Sequence, residues 1–116
     1  MESKSYTPAN NWAGGKPSSA PETIAADEVL LPMTPLGRVT STGKLKKWDP
    51  AATDGTEKAI RLTAFSIDAT GADVDKSVIY SGLPLSEAIN WPEDATAAQK
   101  LGAFDGSLIV LGKLFD

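Results

Sequence analysis

The chain has 116 residues, the length of one ordinary domain, and it contains neither cysteine nor histidine. Those two absences exclude disulfides, thiol nucleophiles, zinc sites built from these residues, and a serine–histidine–acid triad. Its 11 basic residues against 15 acidic ones give a net charge of −4, which argues against binding nucleic acid or an anionic membrane. We therefore predict a protein that is not an enzyme and needs no cofactor or metal.

The composition changes sharply near residue 35. The large apolar side chains before Thr23 are Met1, Tyr6 and Trp12. A segment this polar does not bury enough apolar surface to offset the cost of ordering its backbone. We predict that residues 1–23 have no stable structure on their own. The chain is accordingly divided into an extended N-terminal arm, residues 1–31, and a β-rich domain, residues 32–116.

Short apolar runs separated by turn residues follow, a pattern typical of β-strands. Residues 36–40 and 44–48 are predicted to form a hairpin around Thr42-Gly43. Residues 59–67 form the longest predicted strand, and the change of phase before Phe65 indicates a bulge.

Two further strands are predicted. One covers residues 77–80 and is closed by Ser81-Gly82. The other covers residues 107–111, and because it is almost entirely apolar we expect it to be central in the sheet or buried at an interface.

One helix is predicted. Residues 92–94 are expected to open it, with proline and acids at its start. Ala97, Leu101 and Phe104 supply one apolar face, and Asp105-Gly106 ends the helix. Short strands with one helix predict a small, mostly β domain of the α+β class.

Several patterns resemble chemical motifs but are better explained by local structure. Asp68, Asp73 and Asp75 suggest a divalent-cation loop, yet their spacing does not fit one, and turn residues are the preferred interpretation. Ser41–Lys44 matches Ser-x-x-Lys without the accompanying elements of an acyl-enzyme, so a hairpin is favoured. Gly14–Lys16 lacks the other residues of a phosphate loop and is interpreted as a flexible linker.

Two features bear on partners. Lys44, Lys46 and Lys47 beside Trp48 could bind single-stranded nucleic acid, but a solvated hairpin face is favoured in so acidic a chain. Trp12 is either an incidental exposed aromatic or an anchor for a pocket on a partner. The anchor is favoured because tryptophan is enriched among residues that dominate binding energy.

A series of short motifs, in this order and spacing, resembles the lambda-type head decoration proteins of tailed phages. The motifs are Pro32–Leu36, Thr42–Leu45 followed by Trp48-Asp49, Thr53–Gly55, Tyr80–Gly82, Trp91–Glu93, and Lys100 ahead of Phe104 and Gly106. The motif residues expected to hold the fold are Pro32, Thr34, Pro35, Leu36, Leu45, Trp48, Asp49, Gly55, Gly82, Trp91, Pro92, Phe104 and Gly106.

The resemblance implies a homotrimer of β-clip-like subunits, made in the host cytoplasm and bound to the major capsid protein. It implies a place on the outside of the expanded head, at three-fold positions, where the trimer stabilises the shell against internal DNA pressure. The arm is expected to order on the capsid through Tyr6, Thr7, Pro8 and Trp12. The chain departs from the family pattern at Pro84, which has no N–H for a sheet ladder. The alternative is a small β-domain that binds a glycan or small molecule in a defined pocket.

Overall fold

A computed structural model of the chain describes residues 12–112, and these form a mostly β structure with one short α-helix, as predicted. The strands are β1 Trp12–Ile24, β2 Val29–Leu30, β3 Pro35–Arg38, β4 Leu45–Lys47, β5 Arg61–Thr63, β6 Ile67–Asp68, β7 Val74–Pro84 and β8 Leu108–Ile109. A 3₁₀ helix covers Ser86–Ala88, and α1 covers Ala97–Gly102.

The strand pairings of the larger sheet close into a ring. The order is β1-β4-β3-β5-β7, and β7 also pairs with β1, while β8 is added beside β7. The pairing of β1 with β4 is parallel and rests on Ile24 opposite Leu45, whereas the other pairings within the ring are antiparallel. The strands β2 and β6 form a separate two-stranded sheet.

The strand β1 pairs with β7 along its length. The register is regular from Ser19 opposite Ile79 to Ile24 opposite Val74, and irregular nearer Trp12. Residues 12–23, predicted to have no stable structure on their own, are thus held by β7 of the same chain, and the prediction of a linker is wrong for Gly14–Lys16, which belong to a strand. The segment forms a strand because β7 supplies partners for its backbone hydrogen bonds, and the number of apolar side chains in the segment gives no information about such partners. The prediction for residues 1–11 lies outside the described residues, and the boundary at 31/32 stays a prediction.

The strand β7 holds the sheet together because it has three partners. At Val78 and Ile79 it pairs with β1 on one edge and with β5 on the other. At Ser81 and Gly82 its second edge passes from β5 to β8. The predicted end of this strand at Ser81-Gly82 is wrong, since the ladder continues to Pro84, whose carbonyl accepts a 2.7 Å hydrogen bond from the Gly112 N–H.

Buried side chains form two clusters on the two faces of the sheet. The cluster named here the ring core contains Ile24, Leu30, Leu36, Leu45, Ile67, Ala69 and Val78. The outer core contains Met33, Trp48, Ala59, Leu62, Ile79, Ile89, Ala103, Phe104 and Ile109. Because successive residues of a strand point to opposite faces, the adjacent Val78 and Ile79 of β7 reach different clusters. Both faces of β7 are therefore buried at Val78 and Ile79, whereas residues 75–77 at its start are exposed.

The predicted hairpin is confirmed, with β3 and β4 antiparallel and a turn in which the Gly43 N–H donates to the Val39 carbonyl at 2.7 Å.

The predicted strand over residues 59–67 is wrong, because it is two strands, β5 and β6, in different sheets. The interruption falls at residues 64–66, where the phase of the pattern changes and Phe65 is exposed.

The helix begins later than predicted. Its N-cap is Thr96, whose side chain accepts from the Gln99 N–H at 3.1 Å, and the Gln99 side chain accepts from the Thr96 N–H at 2.8 Å. This capping box satisfies two backbone donors and sets the start of α1 more strongly than the earlier proline. The predicted apolar face is also wrong, because Ala97 and Leu101 are exposed and only Phe104, beyond the helix end, is buried.

An ion cluster missed at the sequence level joins three strands of the ring. Glu22 of β1 accepts two hydrogen bonds from Arg38 of β3, at 3.1 and 3.0 Å, and one from Arg61 of β5, at 3.2 Å. The hydrogen bonds from Arg38, supported by the charges of both arginines, hold the pKa of Glu22 below its ordinary value despite the opposing effect of partial burial.

We predict that Glu22→Gln lowers the free energy of unfolding near neutral pH, because the ion pairs of Glu22 with Arg38 and Arg61 are lost. The loss should be only about 1 kcal/mol, because these side chains are partly exposed and solvent screens their charges. A carboxyl whose pKa is lowered by folding contributes stability above its unfolded pKa and loses it as the pH falls through the folded pKa. The deficit of the variant should therefore shrink between pH 5 and pH 3, as measured by urea unfolding at one fixed chain concentration. Glu93→Gln, at an exposed position, is the control; a deficit independent of pH would contradict the role of this charge.

Candidate functional site

The aspartates of the candidate cation loop are engaged in local structure. The Asp68 carboxylate accepts from the Thr70 N–H at 3.0 Å and from its hydroxyl at 2.6 Å, and the hydroxyl bond is the main cause of the lowered pKa of Asp68. Asp54 makes the same pair of bonds to Thr56, with the same effect on its pKa. Both carboxylates stabilise turns, as predicted for Asp68.

The other two aspartates of that group bind separate partners. Asp73 accepts from the Ala26 N–H at 2.8 Å and forms an ion pair with Lys44, and the bond to Lys44 is the main cause of its lowered pKa. Asp75 accepts from the Thr23 hydroxyl at 2.7 Å. Within residues 12–112 no group of three or more acidic, histidine or cysteine side chains is arranged to hold a metal ion.

The first group of motif residues ties β3 to the segment before α1. The buried Thr34 donates its N–H to the Thr63 hydroxyl at 2.8 Å, and both threonine hydroxyls donate to the Leu31 carbonyl. The Asn90 amide donates to the Thr34 hydroxyl at 3.0 Å, and its N–H donates to the Met33 carbonyl at 2.7 Å. Each buried hydroxyl is thus satisfied, which fixes this corner of the fold. Of the same motif, Pro35 and Leu36 are buried and Pro32 is exposed.

The second group is built around two tryptophans. The rings of Trp48 and Trp91 meet edge to face, with centroids 5.9 Å apart and planes at 66°. Each indole N–H is satisfied by a carbonyl, that of Glu57 for Trp48 and that of Ser86 for Trp91. Such a pair contributes about 0.5–1.5 kcal/mol beyond the area it buries.

The remaining motif residues form turns beside these tryptophans. Asp49 accepts from the Ala51 N–H at 3.0 Å, and the Pro92 carbonyl accepts from the Ala95 N–H at 3.1 Å. Gly55 has a φ of +110°, and a Cβ there would collide with the Arg38 carbonyl, so only glycine fits. Phe104 and Gly106 follow α1, and Phe104 belongs to the outer core.

The Trp12 ring packs so closely on Gly82 that a side chain at position 82 would crowd it. Gly82 has a φ of +153°, and a Cβ there would lie 3.1 Å from the Trp12 ring and 3.3 Å from Pro17. The Trp12 ring is half-buried and packs against the outer core. Its predicted role as an anchor for a partner is not tested by these contacts, and Tyr6, Thr7 and Pro8 lie outside the described residues.

Most of the predicted motif residues lie in the two cores or in turns, whereas Pro32 is exposed, and their role in holding the fold stays a prediction. Of the hairpin lysines, Lys44 forms an ion pair with Asp73. Sequence reasoning missed Glu22 and its two arginines, because the three come from distant strands. No helix among the described residues has the length and apolar character needed to cross a bilayer.

Residues 12–112 thus form a small β-rich fold in which most of the motif residues lie in the cores or in turns. The sequence profile of the bacteriophage lambda head decoration protein D family matches residues 11–110. The chain belongs to this family, which confirms the resemblance found in its motifs. It is therefore a structural protein of the phage head surface that binds the capsid, and it is not an enzyme. No curated protein matches the chain in sequence.

We predict that Gly82→Ala lowers the free energy of unfolding by about 1–3 kcal/mol, because the new methyl both strains the backbone and displaces Trp12. Gly71→Ala is the matched control, since Gly71 also has a positive φ, of +85°, but meets nothing within 4 Å. Urea unfolding gives the two costs, and near-ultraviolet circular dichroism reports on the tryptophans. Equal costs and unchanged spectra in both variants would contradict the close approach.

Proposed function

We propose that the chain is a cementing protein, which binds as a homotrimer to the outside of the expanded head at three-fold positions and stabilises the shell against internal DNA pressure. Membership of the head decoration family is the observation that carries this proposal. It also favours decoration over the alternative of a glycan- or ligand-binding domain. The partner proposed is the major capsid protein.

The contact we propose is strand addition by the residues that precede β1. Residues 19–24 already belong to the sheet through their regular ladder with β7, so they are not free to leave it and extend onto a partner. The proposed contact therefore falls on residues 1–11, with Tyr6, Thr7 and Pro8, and on the exposed part of Trp12. An extended segment gains affinity from backbone hydrogen bonds at a sheet edge and specificity from side chains that fill pockets.

The three N-terminal segments of one trimer increase one another's binding to the head. Once the first has bound, the second and third bind at a high effective concentration, so modest affinity for each becomes durable attachment. A protein that binds only the intact, expanded shell stabilises that state by mass action. Internal pressure then has to break these contacts in addition to those of the shell itself.

Deletion of residues 1–11 is expected to leave a folded trimer that no longer binds expanded empty heads. Sedimentation with heads, followed by imaging of the three-fold positions, measures the occupancy. Deletion of residues 113–116 is the matched control for shortening the chain at its other end. Normal occupancy after loss of residues 1–11 would contradict strand addition by this segment.

Trp12→Ala is expected to weaken binding to expanded heads about tenfold or more, the cost typical of losing an anchor residue. Because Trp12 also packs on its own outer core, urea unfolding of the free variant must be measured beside the occupancy. Unchanged occupancy on the heads would show that Trp12 serves the subunit alone.

A further inference from the structure

An apolar groove of about 520 Å³ lies between the helix α1 and the strand β8. Its lining residues include Phe104 and Ile109, which belong to the outer core. They also include Leu101 of α1 and Val110 just beyond β8, which are 72% and 57% exposed. None of the residues of α1 is buried against the described part of the chain. We name this surface, defined by Leu101, Phe104, Ile109 and Val110, the α1–β8 groove.

The chain leaves the described fold at this groove. Leu111 lines the groove, and Gly112, which follows it, is the last described residue. Two hydrogen bonds hold Gly112 in place: its N–H donates to the Pro84 carbonyl at 2.7 Å, and its carbonyl accepts from the Ser86 N–H at 3.0 Å. Ser86 is itself a lining residue of the groove. The residues after Gly112 therefore start from a fixed position at the edge of the groove.

The next four residues have the composition to fill the groove. They are Lys113-Leu114-Phe115-Asp116, so two of the four side chains are large and apolar. An extended chain advances at most about 3.6 Å per residue, which places Leu114 and Phe115 within roughly 7–11 Å of Gly112. A cleft of this volume is of the size that holds a small ligand, so it has room for two such side chains.

The apolar pattern of β8 continues to Phe115. Successive residues of an extended chain point to opposite sides, so residues 109, 111, 113 and 115 share one side. Ile109 belongs to the outer core and Leu111 packs against it. The profile of the decoration family matches only as far as residue 110, so family membership assigns no role to this segment.

The charges of the groove and the segment are complementary. Lys100 and Asp105 are among the residues that line the groove. The segment carries one charge of each sign as well, Lys113 and Asp116, on either side of its two apolar residues. Charge pairs at the rim of an apolar contact add little affinity but favour one placement over others.

The covalent connection favours the groove of the same chain. A segment joined to its site by a short link has an effective concentration in the millimolar range, which a segment on a separate molecule does not have. With only four residues to order, the entropic cost of docking is small.

We propose that residues 113–116 occupy the α1–β8 groove of their own chain, with the Phe115 ring covering Phe104 and Ile109. The segment then shields the exposed apolar side chains of the groove from water. This contact does not depend on the trimer of the proposed function. Because it serves its own subunit, its loss is expected to weaken the fold and to leave the binding of the N-terminal segment to heads in place.

The test uses the full chain with fluorine-labelled phenylalanine at its three phenylalanine positions. Phe65 is 75% exposed and Phe104 is 2% exposed, so they are references for a solvated and a buried ring. The difference in fluorine chemical shift between ordinary and heavy water measures the solvent contact of each ring, and Phe65→Leu and Phe115→Leu assign the signals. The value for Phe115 is expected to be close to that of Phe104. A value equal to that of Phe65 would overturn the proposal.

A charge in the groove should release the segment. Leu101→Asp is expected to raise the solvent contact of Phe115 to the level of Phe65, and Val110→Asp repeats the test at a second position. Leu31→Asp is the matched control, since Leu31 is 61% exposed and is not among the lining residues of the groove. It is expected to leave the Phe115 signal unchanged. A Phe115 signal that responds to neither groove variant would contradict docking at this place.

A mixture distinguishes the groove of the same chain from that of a second copy. The labelled Leu101→Asp chain, with an intact segment, is mixed at micromolar concentration with an unlabelled Phe115→Ala chain, whose groove is intact and unfilled. Phe115 is expected to stay exposed in the mixture, because the intact groove is on another molecule. Shielding of Phe115 in the mixture would show that the segment docks on a neighbouring copy, and the assignment to its own chain would be wrong.

Urea unfolding gives an independent measurement. Phe115→Ala is expected to lower the midpoint of unfolding and to increase the binding of a dye that fluoresces on apolar surface. Phe65→Ala is the matched control, because it removes the same ring from an exposed position and should leave the midpoint unchanged. Equal midpoints for the two variants would overturn the proposal.

Discussion

The pairing of β1 with β7 is the interaction on which the rest of the structure depends. It closes the ring of strands, because β1 links β7 to β4 through Ile24 and Leu45. Without it, Ile24 would leave the ring core and Glu22 would lose its place between the two arginines. The same strand carries Trp12 over Gly82 at its other end. One polar, proline-containing segment therefore completes a core to which it contributes a single large aliphatic side chain.

Local chemistry was readable from the sequence wherever the cause lay within a few residues. The hairpin at Thr42-Gly43 and the turn at Asp68 follow from residues that stabilise these conformations without distant partners. The family motifs were readable for a related reason, since Gly55 and Gly82 occupy backbone conformations or close contacts that other residues do not tolerate.

The features that could not be predicted from the sequence depend on contacts between residues far apart in the chain. The strand β1 forms because β7 lies beside it, and the segment itself carries too few apolar residues to indicate a strand. Residues 59–67 look like one strand because periodicity does not reveal that β5 and β6 join different sheets. Glu22 meets residues 16 and 39 positions away, so no local pattern points to the cluster. The apolar periodicity of α1 predicted a buried face that includes Leu101, but Leu101 is exposed, because periodicity does not reveal whether another element covers that face.

The approach of Gly112 to Ala13 has a consequence for chain connectivity. These two residues lie side by side at the edge of β7, so the polypeptide enters and leaves the described fold at one point. A short linker between them would need to cross almost no distance, and a new opening at the exposed turn of residues 41–43 would cut no strand. The fold is thus a candidate for circular permutation, in which the order of its strands along the chain is changed while their arrangement in space is kept.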